Sequence, residues 1–172
     1  MCGFAGIINF DGMIIDDKLH RAMKKANESL YPRGPNQQGK WIDDYSYLVH
    51  SRLSILDLSK AGIQPMHKYG KIIVYNGEIY NFFKLKEQLQ KNNISFRSNS
   101  DTEALLEACS FWGIKKTLSL ISGMFAFALW DRKKKELILA RDRFGIKPLY
   151  YSNKNKPKKK IIFLKKKFKN LN

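Results

Sequence analysis

The sequence predicts an α+β fold in which antiparallel sheets are flanked by helices. Three observations lead there. The patterned segments run strand, helix, several strands, two helices and a strand pair, which is not the regular alternation of a doubly wound parallel sheet. The last two strand segments are joined by the short charged stretch DRKKK, as in a hairpin. A chain of 172 residues that is 44% hydrophobic and 13% aromatic can bury one sizeable core and is too short for two ordinary domains.

Element by element, residues 3–10 are apolar on both sides and end at the turn pair Asp11-Gly12, which reads as a buried strand. From Asp16, the spacing of Leu19, Ala22, Met23, Ala26 and Leu30 predicts an amphipathic helix, with Asp16 and Asp17 suited to its positive N-terminal end. YPRGPNQQG (31–39) is too rich in Pro, Gly, Asn and Gln for regular structure and reads as a loop. Strands are expected at 45–49 and 71–75, separated by the apolar but punctuated HSRLSILDLSKAGIQPM. Phe82, Leu85 and Leu89 mark a helix over 82–92, and 94–96 reads as a short strand. Ser100 and Glu103 match a capping box ahead of Ala104, Leu105, Ala108 and Trp112, so a helix begins there. GMFAFALW (123–130) and ELILA (136–140) are the hairpin strands.

Composition narrows the function classes. No apolar run approaches the roughly 18 residues of a membrane span. The N-terminus lacks a basic segment and a continuous apolar core, and Cys2 occupies the place where myristoylation needs glycine. Both features point to the cytosol, where Cys2 and Cys109 are expected as free thiols. The net charge of +17 is unevenly spread: residues 152–172 hold nine lysines and no acid, leaving 23 basic against 15 acidic residues elsewhere. We therefore expect a folded domain over 1–151. Of the 21 residues of the Lys/Asn-rich tail, 19 have codons that can be wholly A and T. This composition is the one that a frameshift or truncated reading in an AT-rich gene produces, and the tail is expected to be disordered. The competing reading is a non-enzymatic basic module that grips nucleic acid or an anionic membrane through this tail. Lysine without an organised aromatic motif does not make nucleic acid the expected partner.

Chemistry is suggested first by Cys2. Cleavage of Met1 leaves its thiol beside a free α-amine, with ordinary pKa values of about 8.5 and about 7.7–8.0, so the amine can accept the thiol proton. Asn76 and Gly77, at the end of an expected strand, offer a side-chain amide and an unhindered N–H for an oxyanion; Asn-Gly is also the commonest hairpin dipeptide, and on local sequence alone the tight turn is the expected reading. Arg52 suits an α-carboxylate, and Asp101 or Glu78 suits an α-ammonium. Arg52 also reads as a solvated charge, and Asp101 as a first-turn acid favoured by the helix dipole. Cys109 lies on an apolar helix side and reads as core. His20, His50 and His67 have no metal-ligand spacing, no metal site is expected, and no glycine-rich phosphate loop is present.

In order and spacing, MCGFAG, RGPNQQG, HSRLSILDLS with GIQPM, YNGEIYN, SDTEALLEA, GMFAFALWD and RDRFGIKPLYY resemble the glutamine amidotransferase domain of asparagine synthetases, over about residues 2–151. The resemblance implies an N-terminal-nucleophile hydrolase, a four-layer αββα sandwich with two antiparallel sheets. It implies Cys2 as nucleophile, Asn76 and Gly77 as oxyanion hole, and Arg52 on the glutamine α-carboxylate. Glu78 and Asp101 would lie around the α-ammonium, with backbone groups of Leu53 and Ile55 lining the same pocket. It also implies a γ-glutamyl thioester and ammonia delivered to a synthetase domain or subunit, where ATP and magnesium activate aspartate. The SGG-x-DS loop that opens that domain is not in this sequence, so the expectation is a glutaminase without its synthetase. Where the family continues to a strand ending in Phe-Ala-Ser-Glu, this chain reads IIFLKKKFKNLN, so one or more last strands are expected to be missing and a catalytically silent fragment is the alternative. One further departure is PRGPN (32–36), where the family reads HRGPD.

Overall fold

The computed structural model describes residues 2–12 and 15–152 and the backbone of 161–164. Strands β1 (Gly3–Ile8), β2 (Gln37–Ile42) and β3 (Ser46–Arg52) form one antiparallel sheet in the order β1-β3-β2. Strands β4 (Met66–Lys68), β5 (Lys71–Ile79), β6 (Gly123–Asp131), β7 (Glu136–Arg141) and β8 (Ile161–Leu164) form the second, in sequence order. Helix α1 (Asp17–Leu30) covers the first sheet, while α2 (Phe82–Gln90), α3 (Asp101–Phe111) and α4 (Ile114–Leu120) belong to the outer side of the second. The expected αββα layering is therefore present. Its ladders are antiparallel except the last, in which β8 runs parallel to β7. These four residues lie within the stretch expected as a disordered tail and depart from that expectation; the remainder of that tail, 153–160 and 165–172, lies outside the described residues.

Side-chain alternation distributes the core among three interfaces. Tyr47 and Val49 of β3 pack with Met23 of α1. Leu48, between them, turns the other way and meets Ile72, Val74, Ala128 and Trp130 in the space between the sheets. Ile73, Tyr75, Ile79, Phe125 and Phe127 face outward onto Leu85, Leu105 and Leu106 of the helices. Central strands β5 and β6 are thus covered on both faces, which is why KIIVY and GMFAFALW are continuously apolar rather than alternating.

Several boundaries differ from the sequence reading. The expected loop 31–39 is a 3₁₀ turn at Tyr31–Arg33 followed by β2, which begins at Gln37. Strand β3 continues through the polar His50, Ser51 and Arg52, and β5 continues through Asn76-Gly77, which pair with Ala126 and Phe125; the hairpin-turn alternative is overturned. Residues 94–96 are not a strand. The Ile94 N–H closes α2 by bonding the Leu89 carbonyl at 3.1 Å, and the following segment is drawn onto α3. There the capping box is half realised: Ser100 Oγ accepts the Glu103 N–H at 3.2 Å, but the Glu103 carboxylate reaches past the cap to the N–H groups of Arg97 and Ser98. At α1 the expected acid works as a cap, Asp16 accepting the Leu19 N–H at 2.7 Å.

Gly77 is set by close approach. A Cβ there would press on the Met124 carbonyl and lie 2.7 Å from Phe125 Cα on the paired strand. We predict that Gly77→Ala forces β5 and β6 apart and costs about 2 kcal/mol, on the scale of overpacking a tight core. Thermal unfolding should show a Tm drop of several degrees, and an unchanged Tm would contradict this packing.

Candidate active site

The same alternation that builds the core assembles the site. On β1, Phe4 and Ile8 face the second sheet, so Cys2, in phase with them, is directed to the same inter-sheet space. On β3 the phase of Leu48 carries on to His50 and Arg52, and on β5 the phase of Ile72 and Val74 carries on to Asn76 and Glu78. The register Gly3↔Ser51 puts Cys2 beside Arg52, and Gln37 of β2 pairs with Arg52 from the other side. The Leu53 N–H donates to Cys2 Sγ at 3.3 Å and the thiol donates to the Leu53 carbonyl at 3.6 Å, so the chain leaving β3 cradles the sulfur. Arg33 Nε–H holds the Cys2 carbonyl at 3.1 Å.

Strand β5 supplies donors because its partner ends early. Strand β4 pairs with β5 only up to Met66↔Ile73, and at the next bonding position, opposite Tyr75, it is the Gln64 side chain that makes the bond. Beyond that point the odd-numbered residues of β5 turn their peptide groups to an open edge. Tyr75 N–H donates to Gln64 Oε1 at 2.7 Å, and the Tyr75 carbonyl accepts from His50 Nε2 at 2.9 Å. Ile79 N–H donates to Asp101 Oδ2 at 3.1 Å. Gly77 lies between them with the same orientation, and its N–H has no partner among the described residues. The buried Asn76 carboxamide beside it likewise has none.

Arg52 is not a solvated charge; only 5% of it is exposed. Its guanidinium donates to Gln37 Oε1 at 2.6 Å, to the Ser59 carbonyl at 3.0 Å and to the Asp57 carbonyl. Asp57 in turn accepts the N–H groups of Ser59 and Asn99, each at 2.7 Å, tying the loop after β3 to the approach of α3. Burial would raise the Asp57 carboxyl, but these bonds and the Arg52 charge hold it below its usual range. Ile55 stands apart: it is 67% exposed and makes no hydrogen bond to the other candidates among the described residues.

The opposite side is acidic. Asp101 opens α3, and its Oδ2 accepts the Tyr75 hydroxyl at 2.6 Å as well as the Ile79 N–H. Burial raises its carboxyl above the usual range, with the Glu78 charge adding to the shift and these bonds opposing it. Burial likewise raises the Tyr75 phenol, helped by the charges of Asp101, Cys2 and Glu78, so these four groups share one electrostatic neighbourhood.

Sequence reasoning did not single out His50, Arg33, Tyr75 or Gln64. It also left open what Asn36 does in the departing PRGPN loop: its Oδ1 accepts the Ser54 N–H at 2.9 Å, an acceptor role that an amide fills as well as a carboxylate. Cys109 is buried as expected, its thiol pushed up to about 12 by burial. No metal-ligating cluster occurs, and no helix is long and apolar enough to cross a membrane, among the described residues. A cavity of about 430 Å³ at the start of β6, lined by Tyr80, Leu118, Arg141 and Phe144 among others, contains none of the candidate residues.

The His50 ring is fully buried, and bonding to a carbonyl assigns its proton to Nε2, leaving Nδ1 without a partner among the described residues. Burial pushes its pKa down to about 4, against the upward pull of the Tyr75 carbonyl, with Arg52 adding to the depression. Between pH 6.5 and 4 the unfolded chain therefore binds a proton that the folded chain refuses, and stability falls as pH falls through that window. His50→Gln keeps an N–H donor without titrating. Urea unfolding should show wild type losing about 3 kcal/mol more than His50→Gln between pH 7 and pH 4; parallel losses would contradict a neutral, buried His50.

A profile of the glutamine amidotransferase domain family matches residues 1–167. Glutamine-hydrolysing asparagine synthetase 1 of Bacillus subtilis is 37% identical over 157 residues, covering 90% of this chain and 24% of the relative. The putative glutamine-hydrolysing asparagine synthetase 2 of Methanocaldococcus jannaschii is 38% identical over 171 residues, covering 88% and 32%. The chain thus spans about a quarter to a third of these relatives. The solved glutamine phosphoribosylpyrophosphate amidotransferase of B. subtilis superposes with a TM-score of 0.50 at 25% identity, over 60% of this chain and 24% of that one. With its αββα sandwich of N-terminal-nucleophile hydrolase type, the chain belongs to the glutamine amidotransferase domain family.

Proposed function

We propose that this chain hydrolyses glutamine to glutamate and ammonia at Cys2, as the glutaminase part of a glutamine-dependent asparagine synthetase. The observation that carries the reading is the Gly77 N–H at the open edge of β5, beside the Asn76 amide and on the strand that faces Cys2. Removal of Met1 supplies the base. The α-amine takes the thiol proton, and the thiolate attacks the side-chain carbonyl carbon of glutamine. The developing oxyanion is held by Asn76 Nδ2–H and Gly77 N–H, donors of a kind worth about 3 kcal/mol each. The C–N bond then breaks, ammonia leaves with the proton from the α-ammonium, and water hydrolyses the γ-glutamyl thioester to glutamate and the restored thiol.

Binding follows the polarity of the pocket. Arg52 receives the α-carboxylate, Asp101 and Glu78 receive the α-ammonium, and the backbone of Leu53 and Ile55 lines the chain between. Cys2 must be a free thiol to react, and the cytosolic setting that we assign to the chain is a reducing one that keeps it so. The step that uses ATP and magnesium to activate aspartate is assigned to the part of the relatives that this chain does not span, so a synthetase domain or subunit is the expected partner.

Glutamate release from glutamine by purified protein tests the reading. Cys2→Ala should abolish it, by at least about 1,000-fold, and intact mass should show Met1 absent from the active chain. Equal release from both proteins would dismiss Cys2 as the nucleophile.

A further inference from the structure

We propose that Tyr75 is a positioning residue for substrate recognition: its hydroxyl holds the Asp101 carboxylate in the orientation that receives the α-ammonium of glutamine. The inference rests on the glutamine reading above and extends it to a residue on the far face of β5. Tyr75 is directed away from the inter-sheet space that holds Asn76 and Glu78 and into the apolar layer of Leu85, Leu105 and Phe127. A phenylalanine would fill that layer equally well. The hydroxyl is a polar atom in an apolar core and needs a partner when buried. Among the described residues that partner is Asp101, reached at 2.6 Å.

The bond does two things for Asp101. Together with the Ile79 N–H at 3.1 Å on the same oxygen, it anchors Oδ2 from two directions and removes the freedom of the carboxylate to rotate. It also favours the charged form. Burial and the neighbouring Glu78 both favour the neutral acid, which cannot pair with an ammonium, and the Tyr75 hydroxyl and the N–H groups of Ile79 and Thr102 oppose them. The charged or titratable groups facing this pair are Glu78 and Tyr75 from β5 and Cys2 from the chain entering β1. Removing the hydroxyl therefore raises the pH at which Asp101 becomes neutral.

The test uses equilibrium binding, so that it does not depend on turnover. L-Glutamine and 4-carbamoylbutanoate, the same molecule without its amine, are titrated calorimetrically into the full chain carrying Cys2→Ala, with and without Tyr75→Phe. We expect Tyr75→Phe to leave Tm within a few degrees and to weaken glutamine about tenfold, the scale of a hydrogen bond to a charged group. The des-amino analogue should change less than twofold, and the acid limb of glutamine affinity should move to higher pH. In an Asp101→Asn background the Tyr75→Phe effect should vanish. Equal weakening of both ligands, no weakening of either, or no glutamine binding at all would overturn the inference. Selective binding as expected, from a chain that releases no glutamate with Cys2 intact, would keep the inference and remove the catalytic reading.

Discussion

The hydrogen bond from His50 Nε2 to the Tyr75 carbonyl, buried between the two sheets, is the constraint from which the rest of the site is counted. Apolar packing of Leu48 on Val74 and Trp130 holds the sheets together but is non-directional and would tolerate a slide of one sheet over the other. A hydrogen bond does not. It sets β3 on β5 so that Arg52, two residues beyond His50, and Asn76 and Gly77, one and two residues beyond Tyr75, reach the same end of the sandwich. The pairing of β1 with β3 then brings Cys2 to that end. Burial keeps this imidazole neutral in a place that would otherwise suit an apolar side chain, and its second nitrogen is left without a partner among the described residues.

The early end of β4 is the other half of the design. An open strand edge inside a domain exposes peptide groups that must be satisfied or used. Gln64 and His50 satisfy Tyr75, and Asp101 satisfies Ile79. The Gly77 N–H between them has no partner among the described residues and is the donor that the proposed oxyanion hole uses. Charge is separated across the same opening, with the Arg52 guanidinium on the β3 side and Glu78 and Asp101 on the β5 and α3 side. In the proposed binding mode that polarity receives the zwitterionic end of glutamine, whose side chain extends toward Cys2. The loop after β3 is held at its middle, through Asp57 and Ser59, to Arg52 on one side and to Asn99 on the other, which keeps this geometry in place before any ligand arrives.

Much of this was legible in sequence wherever the cause is local. The doubly covered strands announced themselves as unbroken apolar runs, and Asp16 and Ser100 marked helix starts because capping is a short-range bond. Strand β2 was not legible. QQGKWI is polar, and its Gly39 is required by the Gln64 carbonyl, which a Cβ would overlap, a contact made 25 residues downstream. Asn76-Gly77 was ambiguous for the same reason: whether the pair turns or pairs is decided by β6. Of the candidate residues, Cys2, Leu53, Arg52, Asn76, Gly77, Glu78 and Asp101 gather at one end, whereas Ile55 does not bond to them. His50, Arg33 and Gln64 act through tertiary bonds that no spacing reveals. The tyrosine in KIIVY was the available clue, since a phenol inside a buried run implies a polar partner elsewhere.

We propose Cys2, freed of Met1, as the reactive group of a glutamine pocket. Intact and peptide mass after treatment with a glutamine-shaped diazoketone, with and without excess glutamine, tests it directly. A single adduct is expected on Cys2 as the first residue of the chain, suppressed by glutamine and leaving Cys109 unmodified. An adduct on Cys109, labelling that glutamine does not suppress, or labelled chains that retain Met1 would contradict it.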